Sequence, residues 1–232
     1  MWVAEEVFRF RVYKPPAPVV SLLQTANRPI EILDLGGYVG FFGLYMRELF
    51  PEANVVSLEP DPHNARLLKR CIQKNHLGER WRLVEACAST GDGTVDFTSS
   101  FALSRMAAKR DNGLEEMRRR ITGAFPFLEG AALLVSEQMR VASRDVFPFL
   151  ANADLAKIDI EGAEWEILAD PRFADLQTVA LVLEYHPVYA PDSDAEGTVR
   201  RELARAGYDT GPTVRGSDSG LIWAWRRSGR TS

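Results

Sequence analysis

The sequence predicts an α/β protein, an open and mostly parallel sheet with helices on both faces. Three observations carry that prediction. An apolar, β-branched run (Ile30, Ile32, Leu33) enters the turn Asp34-Leu35-Gly36-Gly37-Tyr38-Val39-Gly40-Phe41, and helical spacing follows at Phe41, Leu44, Tyr45 and Leu49. The same strand-then-helix rhythm recurs around Val55–Leu58 and around Leu155–Ile160. Thr178–Tyr185 is almost wholly apolar, as expected of a central strand covered on both faces.

The glycine turn is the first candidate site. Glycine tolerates positive φ and puts no Cβ between backbone and ligand. The helix that follows points free N–H groups and a partial positive charge at whatever lies above it. The second apolar run ends in Glu59, where a carboxylate can accept both hydroxyls of a ribose. The plainer reading of the turn is a helix packed closely on a strand. The dinucleotide fingerprint G-x-G-x-x-G does not fit, because Tyr38 stands where its second glycine would let a pyrophosphate approach. A cofactor without a pyrophosphate, such as S-adenosylmethionine, tolerates that tyrosine.

Composition narrows the partners. At 232 residues the chain is long enough for a real core, and a net charge of −4 favours neither nucleic acid nor an anionic membrane. Arg118-Arg119-Arg120 is the one basic cluster and reads as a solvated helix face. Cys71 and Cys87 lack metal-ligand spacing and no signal peptide is evident, so reduced thiols in a cytoplasmic protein are expected. No apolar segment approaches the ~18 residues of a membrane span. The oligomeric state stays open, a dimer included.

In chain order, residues 1–29 contain a strand-like alternation (Val7–Tyr13) broken by Pro15, Pro16 and Pro18, and a short helix at Val19–Ala26, together read as an N-terminal flap or cap. The first strand, turn and helix follow, closed by Pro51. After Glu59, Asn64 is the expected cap of a helix to about Asn75 with Ala65, Leu68 and Ile72 inward. Arg82–Ala88 reads as a third strand and Val95–Phe97 as a short one. Residues 99–139 break the rhythm and are expected to be a lid-like insertion forming a substrate wall. Leu155–Ile160 is a strand, Glu161–Trp165 opens a helix with acids in its first turn, and Thr178–Tyr185 is the central strand. Ser193-Asp194-Ala195-Glu196 opens a helix to about Ala206, with Gly207 as its stop. A last strand at Leu221–Trp225 precedes a polar tail at 228–232, so residues 30–227 form the main domain.

Four blocks then coincide: Asp34-Leu-Gly-Gly-Tyr-Val-Gly40; Glu59-Pro60-Asp61-Pro62 with Asn64; Lys157-Ile-Asp159-Ile-Glu161-Gly-Ala-Glu164; and Glu184-Tyr-His186-Pro187. Together they resemble the FkbM family of S-adenosylmethionine-dependent methyltransferases. The resemblance implies a Rossmann-like class I methyltransferase sheet of seven strands, the last antiparallel. It also implies methyl transfer to a hydroxyl of a small molecule, a sugar or a secondary metabolite. By the same resemblance, Asp34, Gly36, Gly37, Tyr38, Gly40 and Phe41 would hold the amino-acid end of the cofactor. Glu59 and Pro60 would hold the ribose, with Asp61 and Asn64 beside them, and Glu85, Ala86 and Cys87 would flank adenine. The family has a small polar residue where Tyr38 stands.

Methyl transfer asks the protein chiefly to align the acceptor oxygen and remove its proton. Asp159, Glu161, Glu184 and His186, at the ends of two strands, are the candidates for the second task. His186 is slightly favoured as base, and Asp159 also stands near the cofactor. The same acids could instead hold a magnesium ion. Two rivals remain at this stage. An NAD(P)-dependent oxidoreductase is opposed by Tyr38 and by the lack of a Tyr-x-x-x-Lys pair. A non-catalytic binding module would keep the pocket as scaffold.

Overall fold

The computed structural model of the chain describes residues 2–99, 105–106, 137–216 and 218–226. It opens with a short helix, α1 (Trp2–Ala4), which runs into a wide π-type turn at Glu5–Arg9, and then α2 (Ala17–Gln24). The alternation at Val7–Tyr13, expected as a strand, belongs to that turn and the bend after it. Phe10 N–H donates to Glu5 O and Val12 N–H to Glu6 O, and Arg11 takes φ 54°. No neighbouring strand offers this segment a ladder. It instead turns Val7 and Tyr13 inward and leaves Phe8 and Phe10 exposed.

β1 (Glu31–Leu35), α3 (Phe41–Leu49), β2 (Asn54–Leu58), α4 (Pro62–Lys74) and β3 (Trp81–Val84) follow. Asp61, not Asn64, caps α4: its carboxylate accepts the N–H groups of His63 and Asn64 at 2.8 and 3.2 Å. The inward stripe is Ala65, Leu68 and Ile72, as expected. The predicted strand at 82–88 breaks at Glu85-Ala86, where Ala86 N–H turns back onto Val84 O. Beyond the break, β4 (Cys87–Ser89), β5 (Gly93–Ser99), β6 (Arg105–Met106) and β7 (Glu137–Asp145) form a second sheet in the order β4-β7-β5-β6. The ends of the expected 99–139 insertion are therefore strand. Its remainder, with the Arg118–Arg120 run, and the tail at 228–232 lie outside the described residues.

The chain then returns to the first sheet through α5 (Phe147–Leu150), β8 (Leu155–Ile158), α6 (Glu164–Ala169), β9 (Ala180–Tyr185), α7 (Ala195–Arg205), β10 (Tyr208–Thr210), β11 (Val214–Arg215) and β12 (Gly220–Arg226). α6 starts three residues later than expected because Glu161 and Gly162 take φ of 54° and 108°, outside any right-handed helix. Asp194 caps α7 and Gly207, at φ 85°, follows its end.

The order of the main sheet is β3-β2-β1-β8-β9-β12-β10. β1, β2, β3, β8 and β9 run parallel, and β12 is antiparallel to both neighbours. Seven strands with the last antiparallel were expected; β11 makes eight, pairing with the start of β12 while β10 pairs with its end. Side chains alternate into two cores. Leu33, Ala156, Ile158, Leu181 and Leu183 pack on one face. Ile32, Leu155, Ala180 and Val182 pack on the other, under α3 and the N-terminal segment with its Val7, Tyr13, Val19 and Leu23. Residues 1–29, expected as a flap or cap, contribute these four side chains to the second core. No described helix is long and apolar enough to cross a membrane.

Candidate active site

Open α/β sheets bind ligands outside the carboxyl ends of the strands, where the strand order reverses. Here that point lies between β1 and β8. A cavity lined by Ile32, Leu33, Val56 and Phe149 opens on the far side of these strands, away from the residues singled out above.

Gly36 sits at the reversal. Its φ is 82°, and a Cβ there would lie 1.9 Å from Asp159 O. Gly37 and Gly40 face inward as well: their Cβ atoms would meet Ser57 at 2.9 Å and Leu68 at 2.6 Å. All three glycines serve close packing of the turn on its neighbours, so the plainer reading holds for their faces. Gly36 and Gly37 N–H both donate to Leu58 O, at 3.1 and 2.9 Å, which fixes the turn on the end of β2. Tyr38 is 37% exposed, and its backbone N–H donates to Glu59 Oε2 at 2.7 Å. Phe41 begins α3, its ring edge-on to Tyr38.

Glu59 is 4% exposed, and its other oxygen accepts Asp61 N–H at 2.9 Å. Burial pushes its carboxyl up to about 7, although the two backbone donors pull the other way. The Asn64 side chain adds a third hydrogen bond, yet a carboxylate has about four lone-pair sites, so a diol could still donate to it. This donor set fits a ribose. Asp61 is buried and bonded to Ser99, while Asn64 sits in the first turn of α4 beside Glu59. Glu85 is half exposed and paired with Lys69. Ala86 and Cys87 are buried, and burial together with the Glu59 charge lifts the Cys87 thiol to about 12. Pro60 continues the chain out of Glu59 towards the Asp61 cap.

The second half of the site follows from strand register. Asp34 is opposite Ser57 on one side and Lys157 on the other, and Lys157 is opposite Val182. With a side-chain period of two, Glu184 falls on the same face. Trp81 Nε1–H donates to Ser57 Oγ at 3.0 Å, and Ser57 Oγ–H donates to Asp34 Oδ2 at 3.2 Å. Asp34 Oδ1 faces Lys157 Nζ at 3.4 Å. Lys157 Nζ donates to Gly36 O at 2.9 Å and pairs with Asp159 Oδ2 at 3.2 Å. Burial alone would lower the Lys157 pKa, but Asp159 and Asp34 outweigh it and hold the ammonium charged. Asp34, expected at the cofactor, is fully buried, with its contacts to Ser57 and Lys157.

Tyr13, from the N-terminal segment, places its hydroxyl 3.4 Å from Asp159 Oδ2 and 3.3 Å from Glu184 Oε2. Burial, then the charges of Asp159 and Glu184, push its pKa up, so it stays a phenol. Ser219 Oγ–H donates to Glu184 Oε1 at 2.6 Å. Burial, then Asp159, also raises Glu184.

His186 lies just past β9. Its Nδ1 is 3.0 Å from Glu164 Oε1, and its Nε2 is 3.4 Å from Glu161 Oε2. Burial would lower its pKa, but the Glu164 bond and the charges of Glu161 and Glu164 prevail and lift it to about 10. Burial pushes Glu161 up to about 7 despite that imidazolium. The expectation that His186 is the base therefore meets a ring that holds its own proton. The structure brings Asp159, Glu161, Glu184 and His186 together as predicted. Sequence reasoning missed Tyr13 and Ser219, which lie outside the four blocks, and the role of Glu164, which closes one of them. Asp159, Glu184 and His186 each offer a ligand atom within 4.8 Å of the others, a donor set a divalent ion could use if Nε2 gave up its proton.

Comparison with known proteins gives the family. "Methyltransferase sdnD" of Sordaria araneosa is 30% identical over 159 residues, 62% of this chain and 61% of that protein. "2-O-methyltransferase NoeI" of Sinorhizobium fredii is 27% identical over 175 residues, 72% of this chain and 67% of that protein. The chain thus spans less than two thirds of the first of these relatives. The crystal structure of methyltransferase FkbM from Methylobacillus flagellatus superposes with a TM-score of 0.52 at 15% identity, covering 84% of this chain and 43% of that one, a likeness of fold. The methyltransferase FkbM domain matches residues 34–210, which include both halves of the site. The chain belongs to the FkbM methyltransferase domain family.

Proposed function

We propose that this chain is an S-adenosylmethionine-dependent O-methyltransferase whose acceptor is a hydroxyl of a small molecule, a sugar or secondary metabolite. The observation that carries the reading is the pairing of two chemistries at the carboxyl ends of parallel strands on either side of β1. On one side is the buried carboxylate of Glu59, past β2. On the other is a cluster of Asp159, Glu161 and Glu184 around His186. NoeI, named a 2-O-methyltransferase, supports oxygen as the methylated atom.

The cofactor supplies an electrophilic methyl group on a sulfonium. Glu59 binds its ribose hydroxyls. The Lys157–Asp34 pair fixes the Gly36 turn, so the cofactor and acceptor halves are held in one register. Alignment of this kind is worth ~7–11 kcal/mol of barrier. Glu161 takes the acceptor's proton. Its side chain is 30% exposed, against 24% for Asp159 and 10% for His186. His186, protonated, stabilises the ionised Glu161 and returns a cation to a corner where five acids (Asp34, Asp159, Glu161, Glu164, Glu184) meet two bases.

A second reading rests on the 4.8 Å cluster, in which Asp159, Glu184 and His186 hold a divalent ion that lowers the acceptor's pKa. Methyl-labelled S-adenosylmethionine incubated with a panel of hydroxylated sugars and metabolites tests the proposal. Label in an ether product supports it; binding of S-adenosylhomocysteine with no transfer across the panel leaves the binding-module rival. Heat on mixing with NAD but not with S-adenosylhomocysteine would overturn it. Loss of transfer with chelator, restored by magnesium, would move the chemistry to the second reading.

A further inference from the structure

We propose that Tyr13 is a positioning residue of the methyl-transfer site, its hydroxyl bridging Asp159 and Glu184 so that the two carboxylates present fixed oxygens to the acceptor. The inference rests on the reading of those acids as the acceptor's side of the site.

Tyr13 lies outside the matched family span of 34–210, in the stretch whose alternation resembled a strand. Its ring is wedged edge-on against Phe42 at 5.3 Å and stands 5.9 Å from Lys157 Nζ. The phenol reaches the acids from the core side. Its hydroxyl meets Oδ2 of Asp159 and Oε2 of Glu184. Lys157 takes the same Asp159 oxygen, and Ser219 takes the other oxygen of Glu184. Among the described residues the contacts of Asp159 fall on Oδ2, which leaves Oδ1 for a ligand. Glu184 is held at both oxygens and acts as a fixed wall. Without the hydroxyl, neither carboxylate has a donor between them, and two like charges turn apart. The surrounding charged groups are Asp34 and Lys157 from the sheet, Glu161 and Glu164 after β8, and His186 after β9. His186 lies within 4.8 Å of both acids and Lys157 pairs with Asp159, but among the described residues it is the Tyr13 hydroxyl that comes within 3.4 Å of both.

The test is Tyr13→Phe, which keeps the ring and its packing. With side-chain carboxyls labelled with carbon-13, the signals of Asp159 and Glu184 are assigned by their loss in Asp159→Asn and Glu184→Gln. Both should move in Tyr13→Phe while the remaining carboxyl signals stay, a readout that needs no acceptor. With the acceptor found by the labelled-methyl panel, kcat should fall roughly 10- to 100-fold while KM for S-adenosylmethionine is unchanged. Tyr13→Phe should cost less in the Asp159→Asn background than in the parent, since residues that act as a unit are not additive. Unmoved carboxyl signals, a parental kcat, or multiplied losses in the double variant would each overturn the proposal. If instead Asp159→Asn turns over like the parent, the reading of the acids fails, and the carbon signals still show whether the hydroxyl bridges them.

Discussion

Glu164 Oε1 accepts both the backbone N–H of His186, at 2.8 Å, and its ring Nδ1, at 3.0 Å. The other oxygen of Glu164 accepts Gly162 N–H at 2.7 Å. One fully buried carboxylate thus ties the loop after β8 to the loop after β9. His186→Ala removes its cationic partner and leaves a buried charge without a counter-ion. The expected cost is about 3–5 kcal/mol of folding stability, well above that of an exposed histidine. Urea unfolding measures it, and a loss under ~1 kcal/mol would mean that the pair is not what joins the two loops.

Cofactor affinity should depend on pH through Glu59. Its folded pKa is raised to about 7 by burial, so in the free protein the protonated form is favoured and stability is lost as pH rises through that value. Ribose hydroxyls donate to the ionised form and pull the pKa down. Binding of S-adenosylhomocysteine should therefore tighten from pH 6 to pH 8 and release protons near neutrality. Calorimetry in two buffers of different ionisation enthalpy reads that release. Glu59→Gln should abolish it, weaken binding by about 1.5–3 kcal/mol, and make the free protein relatively more stable at pH 8. Proton-neutral binding by the parent would remove Glu59 from the ribose.

Gly36→Ala sets a Cβ against Asp159 O, at 1.9 Å, on a residue with φ 82°. The conformation alone costs about 1–3 kcal/mol, and the clash is with backbone, which cannot rotate aside. The variant should unfold at markedly lower urea and lose cofactor binding together with stability. Gly91, with nothing near its Cβ position, is the control and should accept alanine with little change.

Leu23→Ala tests whether the N-terminal segment is core. Leu23 is 2% exposed and packs with Val7, Val19 and Trp223. The expected loss is 2–5 kcal/mol, roughly that of any large core leucine. A neutral substitution would restore the picture of a loosely attached flap.

Much of this was legible because strand ends advertise themselves. Glu59, Asp159, Glu184 and His186 all stand where a β-branched or apolar run stops, and the sheet must place such residues together. The glycines were legible as a turn but not in their orientation, since nothing local says whether a missing Cβ makes room for ligand or for Asp159. The second sheet escaped notice because β4 pairs with β7 across more than fifty positions of chain, Cys87 opposite Ser143. Tyr13 escaped for a related reason. Apolar residues at short intervals fit a strand or a wide turn equally well, and only the contact with Asp159 and Glu184 distinguishes them.

The antiparallel strand β12 has a further consequence. It lies between β9 and β10, although both precede it in the chain, with Ile222 opposite Leu183 and Thr210 opposite Ala224. During synthesis, β9 emerges long before its neighbour. Until Gly220–Arg226 leaves the ribosome, the open edge of β9 presents unpaired amides along an apolar strand. Ser219, which holds Glu184, arrives at the same moment. Closure of the sheet and assembly of the acid cluster are therefore late, coupled events, and a nascent chain stalled before Gly220 should be held by chaperones rather than by its own fold.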